Sequence, residues 1–263
     1  MPIFSIITIC YNSGSTIERT IKSVLSQTFK DYEYIIVDGG SKDSTLDIVR
    51  KYEPLFEGRM KWNSEPDKGI YNAMNKGIKY SNGKIIGIVN SDDWLEFDAL
   101  QNVYETYSSQ ESPEESLICG AIKFHFIDNT VKLLKPNLML FKKYAPLYEM
   151  AGIRHPAVFV PMELYQKYGV FDESVKVMAD ADLILRFYNG GVKFVPINKV
   201  LSNMSDGGLS NSRVLKIRYK DKCTMLRKNR VTFVKRIYIL IEWLLRQIVK
   251  EIIPYNMLKK IRR

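Results

Sequence analysis

The residues best suited to chemistry in this sequence are acids that follow apolar runs. Asp92 and Asp93 stand side by side in Asn90-Ser91-Asp92-Asp93, at the end of the run Lys84–Val89. Asp38 closes the run Tyr34–Val37, and Asp67 precedes a helical stretch. Adjacent carboxylates disfavour each other's ionised form. A divalent cation, Mg2+ or Mn2+, removes that conflict, prefers oxygen ligands and brings phosphate with it. The pair therefore points to a metal–diphosphate site. Aspartates also cap helices and stop strands, and for Asp38 taken alone that plainer role stays open.

The elements around these acids follow a recognisable rhythm. Phe4–Ile9 is a continuous apolar run, as in a strand buried on both faces. The loop Cys10–Ser15 follows, and then Ile17, Ile21, Val24 and Leu25 recur at helical spacing. Tyr34–Val37 predicts a second strand, a helix begins near Ser44, Lys61–Asn63 a third strand, Ile70–Tyr80 a helix and Lys84–Val89 a fourth strand. Strand–helix alternation of this kind predicts a Rossmann-like, mostly parallel α/β sheet flanked by helices. Ligands of such sheets bind beyond the carboxyl ends of the strands, which is where Asp38, Asp67 and Asp92-Asp93 fall.

Beyond Leu100 the rhythm changes. Leu117–Phe126 and Ala157–Val160 read as short strands between polar loops, Asp182–Asn189 as a helix and Lys193–Pro196 as another strand. This mixed second half is expected to complete the sheet and build an acceptor side. Residues 1–100 then form a nucleotide-binding half and 101–210 an acceptor half, with 211–263 as a tail.

With 263 residues, 46% of them hydrophobic, the chain has the size of one large α/β domain with appendages. Cys10, Cys119 and Cys223 lie far apart and form no CxxC pair, so neither a disulfide framework nor a zinc site is indicated. A reducing compartment is the simple reading. Met1–Asn12 lacks a basic leader and a small-residue cleavage site, and reads as a first strand.

Competing chemistries lack their motifs. A dinucleotide-dependent dehydrogenase needs G-x-G-x-x-G after the first strand, and Cys10-Tyr11-Asn12-Ser13-Gly14-Ser15 has one glycine. No phosphate-binding G-x-x-x-x-G-K-[ST], HExxH or GxSxG sequence occurs.

Residues 5–49, SIITICYNSGSTIERTIKSVLSQTFKDYEYIIVDGGSKDSTLDIV, closely resemble the opening of family 2 glycosyltransferases. EPDKGIYNAMNKGI (65–78) and GKIIGIVNSDDW (83–94) continue the match in order. HPAVFVPMELYQKYGVFDESVKVMADADLILRF (155–187) resembles the family's acceptor half. The resemblance implies an A-type glycosyltransferase fold, an activated nucleotide-sugar donor, a divalent metal and inversion at the anomeric carbon. By position, Thr8, Tyr11, Asp38 and Asp67 would contact the nucleotide, and Asp92 and Asp93 would hold ribose, metal and diphosphate.

Asp180, in Met178-Ala179-Asp180-Ala181-Asp182, falls where the family places its general base. Direct displacement needs one carboxylate to take the acceptor hydroxyl's proton. Asp182 is the alternative base, a helix cap is the plainer role for Asp180, and Arg186 is expected to pair with an acid in the same helix. Asn90 replaces the first acid of the common Asp-x-Asp-Asp pattern, so the choice of direct metal ligand between Asp92 and Asp93 stays open. Ala179 replaces a glutamate common before the base. His155 is a second polar candidate, near sugar or metal or in an ordinary contact. The loop 206–210 would close over the diphosphate or serve as a plain linker.

The charge of +10 is uneven: residues 211–263 hold 16 Lys and Arg against three acids, and the remainder 23 bases against 26 acids. Val231–Val249 is apolar but broken by Lys235, Arg236, Glu242, Arg246 and Gln247, too short a clean run to span a bilayer. It reads as an interfacial amphipathic helix. Docking on an anionic membrane surface is the expectation, with packing on the chain's own body or on a second subunit as alternatives. That placement predicts a cytoplasmic protein peripheral to the inner face of the membrane, acting on a lipid-linked or glycan acceptor. The tail lacks a nucleic-acid-binding motif, so no nucleic-acid partner is expected. A non-catalytic sugar-nucleotide-binding scaffold is the rival reading, and three carboxylates at 92, 93 and 180 argue against it.

Overall fold

A computed structural model of the chain describes residues 1–206 and 215–252. Strands β1 (Phe4–Cys10), β2 (Tyr32–Asp38), β3 (Met60–Ser64) and β4 (Ile85–Ile88) alternate with helices α1 (Ile17–Leu25), α2 (Thr45–Tyr52) and α3 (Ile70–Tyr80). After them come β5 (Trp94–Leu95), α4 (Ala99–Ser108), β6 (Ser116–His125), β7 (Val131–Leu134), α5 (Leu138–Tyr144), β8 (Val158–Pro161), α6 (Met162–Tyr168), α7 (Ala179–Asn189) and β9 (Lys193–Ser205). Two helices, α8 (Leu215–Lys228) and α9 (Phe233–Ile252), follow.

The nine strands of the described residues join one sheet in the order β3-β2-β1-β4-β8-β6-β9-β5, with β7 beside β6. The first four are parallel. β8 runs antiparallel to β4 and β6, and β9 runs parallel to β6. The sheet is thus parallel where the alternating pattern is clear and mixed in the second half.

Every residue of β1 and β2 is buried, because helices cover both faces of the sheet. Side chains alternate between two cores: Ile7, Ile9, Ile35 and Val37 in one, Phe4, Ile6, Tyr34 and Ile36 in the other. Each such aliphatic side chain contributes roughly 1.5–3 kcal/mol by burial. A one-residue slip in register would exchange these two sets. The carboxyl ends of β1 and β2 are thereby fixed side by side, with Cys10 opposite Asp38.

Several elements differ from the sequence expectation. α4, α5 and α6 occupy stretches read as polar loops, and α7 starts at Ala179, so Asp180 lies inside its first turn. β9 continues to Ser205, past Pro196. Its pairing with β6 shifts register around Ala121, an irregularity that absorbs Pro196 opposite Cys119.

The tail is two helices. α8 packs into the body, with Asp221, Lys222, Met225 and Leu226 buried. α9 buries Ile239, Trp243 and Gln247 and turns Phe233, Val234, Ile237, Tyr238, Ile241, Leu244, Leu245 and Ile248 to solvent. Arg246 ties it to the body through Glu149 and the Tyr144 ring. Among the described residues no helix is long and apolar enough to cross a membrane. Gly207–Ser210 of the expected closing loop, and tail residues 211–214 and 253–263, lie outside the described residues.

Candidate active site

The loops after β1 and β2 are laced together by short-range polar bonds. The backbone N–H groups of Asn12, Ser13 and Gly14 donate to Ser41 Oγ, Thr45 Oγ1 and Asp43 Oδ2. Ser13 Oγ meets Ser91 Oγ at 2.8 Å, which joins this pair of loops to the one after β4. Two of the predicted acid-bearing segments, those after β2 and β4, are thus coupled through the loop after β1 at one sheet edge.

Asp38 is fully buried. Its carboxylate accepts from the Gly40 and Ser41 N–H groups at 3.0 and 2.8 Å, from Ser64 Oγ at 2.6 Å and from Ser41 Oγ. Burial pushes its pKa up, but these donors outweigh it and hold the group below the usual aspartate value. Asp38 organises the loop from within. Thr8 is likewise fully buried, and its hydroxyl accepts from Tyr34 Oη at 2.9 Å. Its side chain belongs to the floor of the site.

Tyr11 presents its ring at the surface, 62% exposed. Between it and Asp67 lies Gly39, where an added Cβ would fall 2.5 Å from Asp67 Oδ2 and 3.3 Å from Tyr11 Cδ2. Tyr11, Gly39 and Asp67 therefore form one cradle. Asp67 Oδ1 accepts the Gly69 N–H at 2.8 Å at the start of α3.

The two adjacent acids are unequal. Asp93 is 1% exposed, and each of its oxygens is taken: Oδ1 by the Ser205 N–H and Oδ2 by Asn90 Nδ2, both at 3.1 Å. Burial, and then the charge of Asp92, pushes its pKa up to about 7. Asp92 is half-buried, and its carboxylate makes no hydrogen bond among the described residues. Its main-chain carbonyl accepts from Arg19 Nη2 at 2.8 Å and Ser205 Oγ at 2.9 Å. The Arg19 guanidinium also lies 3.6 Å over the Trp94 ring.

These residues fit a divalent cation. Asn90 Oδ1 is buried without a partner, the Asp92 carboxylate two residues on accepts no hydrogen bond among the described residues, and the Asp92 charge raises the Asp93 pKa despite the opposing charge of Arg19. Among the described residues no cluster of three acidic, His or Cys side chains stands ready for a metal. A cation here would draw further ligands from substrate oxygens.

Asp180 sits in the first turn of α7, half-buried, and accepts a hydrogen bond at Oδ1 from Tyr71 Oη of α3 at 3.3 Å. His155 feels its charge: burial lowers the His155 pKa, Asp180 opposes the shift, and the ring packs on Phe171 with centroids 5.7 Å apart. Asp182 is occupied elsewhere. Its Oδ2 accepts from Arg186 Nε at 3.0 Å, the intrahelical pair expected, and its Oδ1 takes a 3.4 Å contact from Asn229.

The segment before α7 is tethered to α3. Asn75 exchanges bonds with the Phe171 N–H and C=O, both at 3.0 Å, and Glu173 accepts from Asn72 and Asn75. The sequence reading gave no role to Tyr71, Asn72, Asn75, Arg19 or Ser205. Tyr71, Asn72 and Asn75 lie within the quoted segment 65–78 and Arg19 within 5–49, whereas Ser205 lies in none of the quoted segments.

Residues 5–161 match the model of the family described as "Glycosyl transferase family 2". A "PGL/p-HBAD biosynthesis glycosyltransferase" of Mycobacterium bovis is 29% identical over 216 residues, 81% of either chain. An uncharacterized glycosyltransferase of Mycobacterium tuberculosis is 31% identical over 190 residues, 70% of this chain and 68% of the relative. The crystal structure of S. aureus TarS 1–349 in complex with UDP-GlcNAc superposes with a TM-score of 0.69 at 21% identity, over 92% of this chain and 71% of that one. Mannosyltransferase PcManGT from Pyrobaculum calidifontis, in complex with GDP-Man and Mn2+, gives 0.62 at 16% identity, over 91% and 68%. These likenesses confirm the A-type glycosyltransferase fold expected from the sequence. The family model spans more than half of the 263 residues, and the chain therefore belongs to glycosyl transferase family 2 and is a glycosyltransferase.

Proposed function

We propose that the chain is an inverting glycosyltransferase. It moves a sugar from a UDP-linked donor to a hydroxyl of a lipid-linked glycan, in cell-surface polysaccharide assembly at the inner face of a membrane. The observation that carries this reading is the contrast among the carboxylates. The carboxylates of Asp93 and Asp182 are engaged by protein partners, whereas that of Asp92 accepts no hydrogen bond among the described residues and that of Asp180 has one hydroxyl contact. The UDP preference draws on the UDP and UDP-GlcNAc complexes of S. aureus TarS. A glycan-assembly role draws on the biosynthetic name of the mycobacterial relative.

In this reading the Tyr11 ring and Asp67 receive the nucleotide around the Gly39 cradle, with Asp38 and Thr8 beneath them. Asp92 would be the direct ligand of Mg2+ or Mn2+, with Asp93 and Asn90 shaping its surroundings. The bound cation would supply charge neutralisation for the departing diphosphate. Asp180 takes the proton of the acceptor hydroxyl as the acceptor oxygen bonds to the anomeric carbon. The bond from that carbon to the diphosphate breaks on the opposite side, which inverts the centre. Tyr71 orients the Asp180 carboxylate through its hydroxyl.

The outer stripe of α9 carries eight exposed apolar side chains, with Arg230 and Lys235 exposed beside it. That composition suits shallow insertion into an anionic bilayer, where each nearby cation adds about 1 kcal/mol. The protein would then be peripheral, next to a lipid-linked acceptor. Turnover of UDP-, GDP- and TDP-sugars, with and without Mn2+, tests the donor and metal assignments. Metal-dependent release of UDP is expected, and metal-independent turnover would contradict the role given to Asp92.

A further inference from the structure

The tail reaches the catalytic half at one buried point. Asp221 of α8 is 2% exposed, and its carboxylate accepts three consecutive backbone N–H groups. These are Lys176 on Oδ1 at 3.0 Å, then Val177 and Met178 on Oδ2 at 2.7 and 3.2 Å. The three residues lead directly into α7, and Asp180 lies two residues beyond the last of them. Met178, at the cap position of α7, offers no side-chain acceptor of its own. Asp221 does not cap α7 itself: the N–H groups it takes are those of residues 176–178, ahead of the first turn, so it fixes the segment that leads into the helix.

The neighbouring residue fixes α8 in turn. Lys222 has no exposed surface, and its ammonium donates to the Leu147 and Tyr148 carbonyls at 2.6 and 2.7 Å. Lys228 adds an ion pair to Asp172 in the loop that precedes α7. The same loop is held from its other side by Asn72 and Asn75 of α3. The approach to Asp180 is thus clamped between the donor half and the tail.

We propose that Asp221 is a positioning residue for the reaction: by holding the N–H groups of residues 176–178, it sets where the Asp180 carboxylate stands. This rests on the reading of Asp180 as the base. It also makes α8 part of the catalytic machinery, with only α9 left to act at a surface. An ionised acceptor of several backbone N–H groups forms strong, charge-assisted bonds. A displacement of the base by about 1 Å costs on the order of 10²-fold in rate.

The test uses the full chain with Asp221→Ala and Asp221→Asn. In amide hydrogen exchange, peptides covering 174–182 should exchange faster in Asp221→Ala, while those of β1, β2 and α3 keep their protection. With the donor that turns over in the screen above, Asp221→Ala should lower kcat about 10²-fold and leave the donor KM within about twofold. Asp221→Asn, which keeps an acceptor oxygen, should recover part of the loss and guards against a misfolded alanine variant. Adding Asp221→Ala to Asp180→Asn should cause little further loss. Unchanged exchange at 174–182, or an equal loss on the Asp180→Asn background, would overturn the proposal. A wild-type rate in Asp180→Asn alone would instead fault the base assignment.

Discussion

Tyr71 Oη donates to Asp180 Oδ1 across 3.3 Å, and so joins α3 to the first turn of α7. Burial, and then the Asp180 charge, holds the tyrosine pKa well above its ordinary value. The phenol keeps its proton throughout the working pH range and stays a donor. Backbone N–H groups of Asp180 and Ala179 pull the other way without cancelling that shift. Tyr71→Phe should lower kcat about tenfold, a fraction of the roughly 10²-fold or greater general-base contribution it supports, and cost about 1 kcal/mol of stability. Steady-state kinetics with a thermal melt separate the two effects.

The cradle between Tyr11 and Asp67 depends on a missing side chain. Gly39→Ala would set a methyl 2.5 Å from Asp67 Oδ2, so the carboxylate must move. The expected result is a donor KM raised about tenfold, roughly 1.4 kcal/mol of binding, with kcat little changed. Donor titration by calorimetry checks the same loss without an acceptor.

Stability at low pH is expected to depend on Glu33, at the opposite edge of the sheet. It is 6% exposed and accepts from Ser5 Oγ at 2.6 Å, Lys61 Nζ at 3.1 Å and the Asn82 backbone and side chain. Burial raises its pKa, but these donors outweigh it and hold the group below its ordinary value of 4.5. The folded state therefore binds fewer protons than the unfolded chain between the two values. Its stabilisation is complete above that ordinary value and is lost as pH falls through the lower folded value. Glu33→Gln should cost roughly 2 kcal/mol at pH 7. The gap from wild type should narrow below pH 4.5 in melts taken across pH, and a constant gap would refute the linkage.

The exposed stripe of α9 predicts a lipid-binding phenotype. Ile241→Glu with Leu245→Glu places two charges on solvent-facing positions, 54% and 57% exposed, so folding should be retained. Flotation with vesicles of anionic phospholipid should fall about tenfold or more. Equal flotation of the variant and wild type would remove the membrane assignment. A concentration-dependent change in mass between the two would point instead to a second copy of the chain.

What the sequence made legible follows the strength of its periodicity. The runs Phe4–Ile9 and Tyr34–Val37 are buried on both faces, so their continuous apolar character marked β1 and β2 within one or two residues at each end. The acid-bearing loops after β2 and β4 could be found because each follows such a run. α4 and α6 were missed because their buried residues are few: Ala99, Leu100 and Val103 in one, Leu164 and Tyr165 in the other. β9 was cut short at Pro196 because a bulge, invisible in sequence, lets that residue stay in the sheet. The unequal duties of Asp92 and Asp93 depend on Ser205, more than a hundred residues away, so no local pattern encodes them. The same holds for Asp221, whose partners lie 43 to 45 residues earlier.

The central claim is that Asp180 removes the acceptor's proton. The most direct measurement is the single-turnover rate of sugar transfer for wild type and Asp180→Asn at saturating donor and Mn2+, with donor affinity measured in parallel. A loss of about 10²-fold or more in rate, with donor affinity unchanged, is the expected result. A variant that transfers sugar at the wild-type rate would contradict the account.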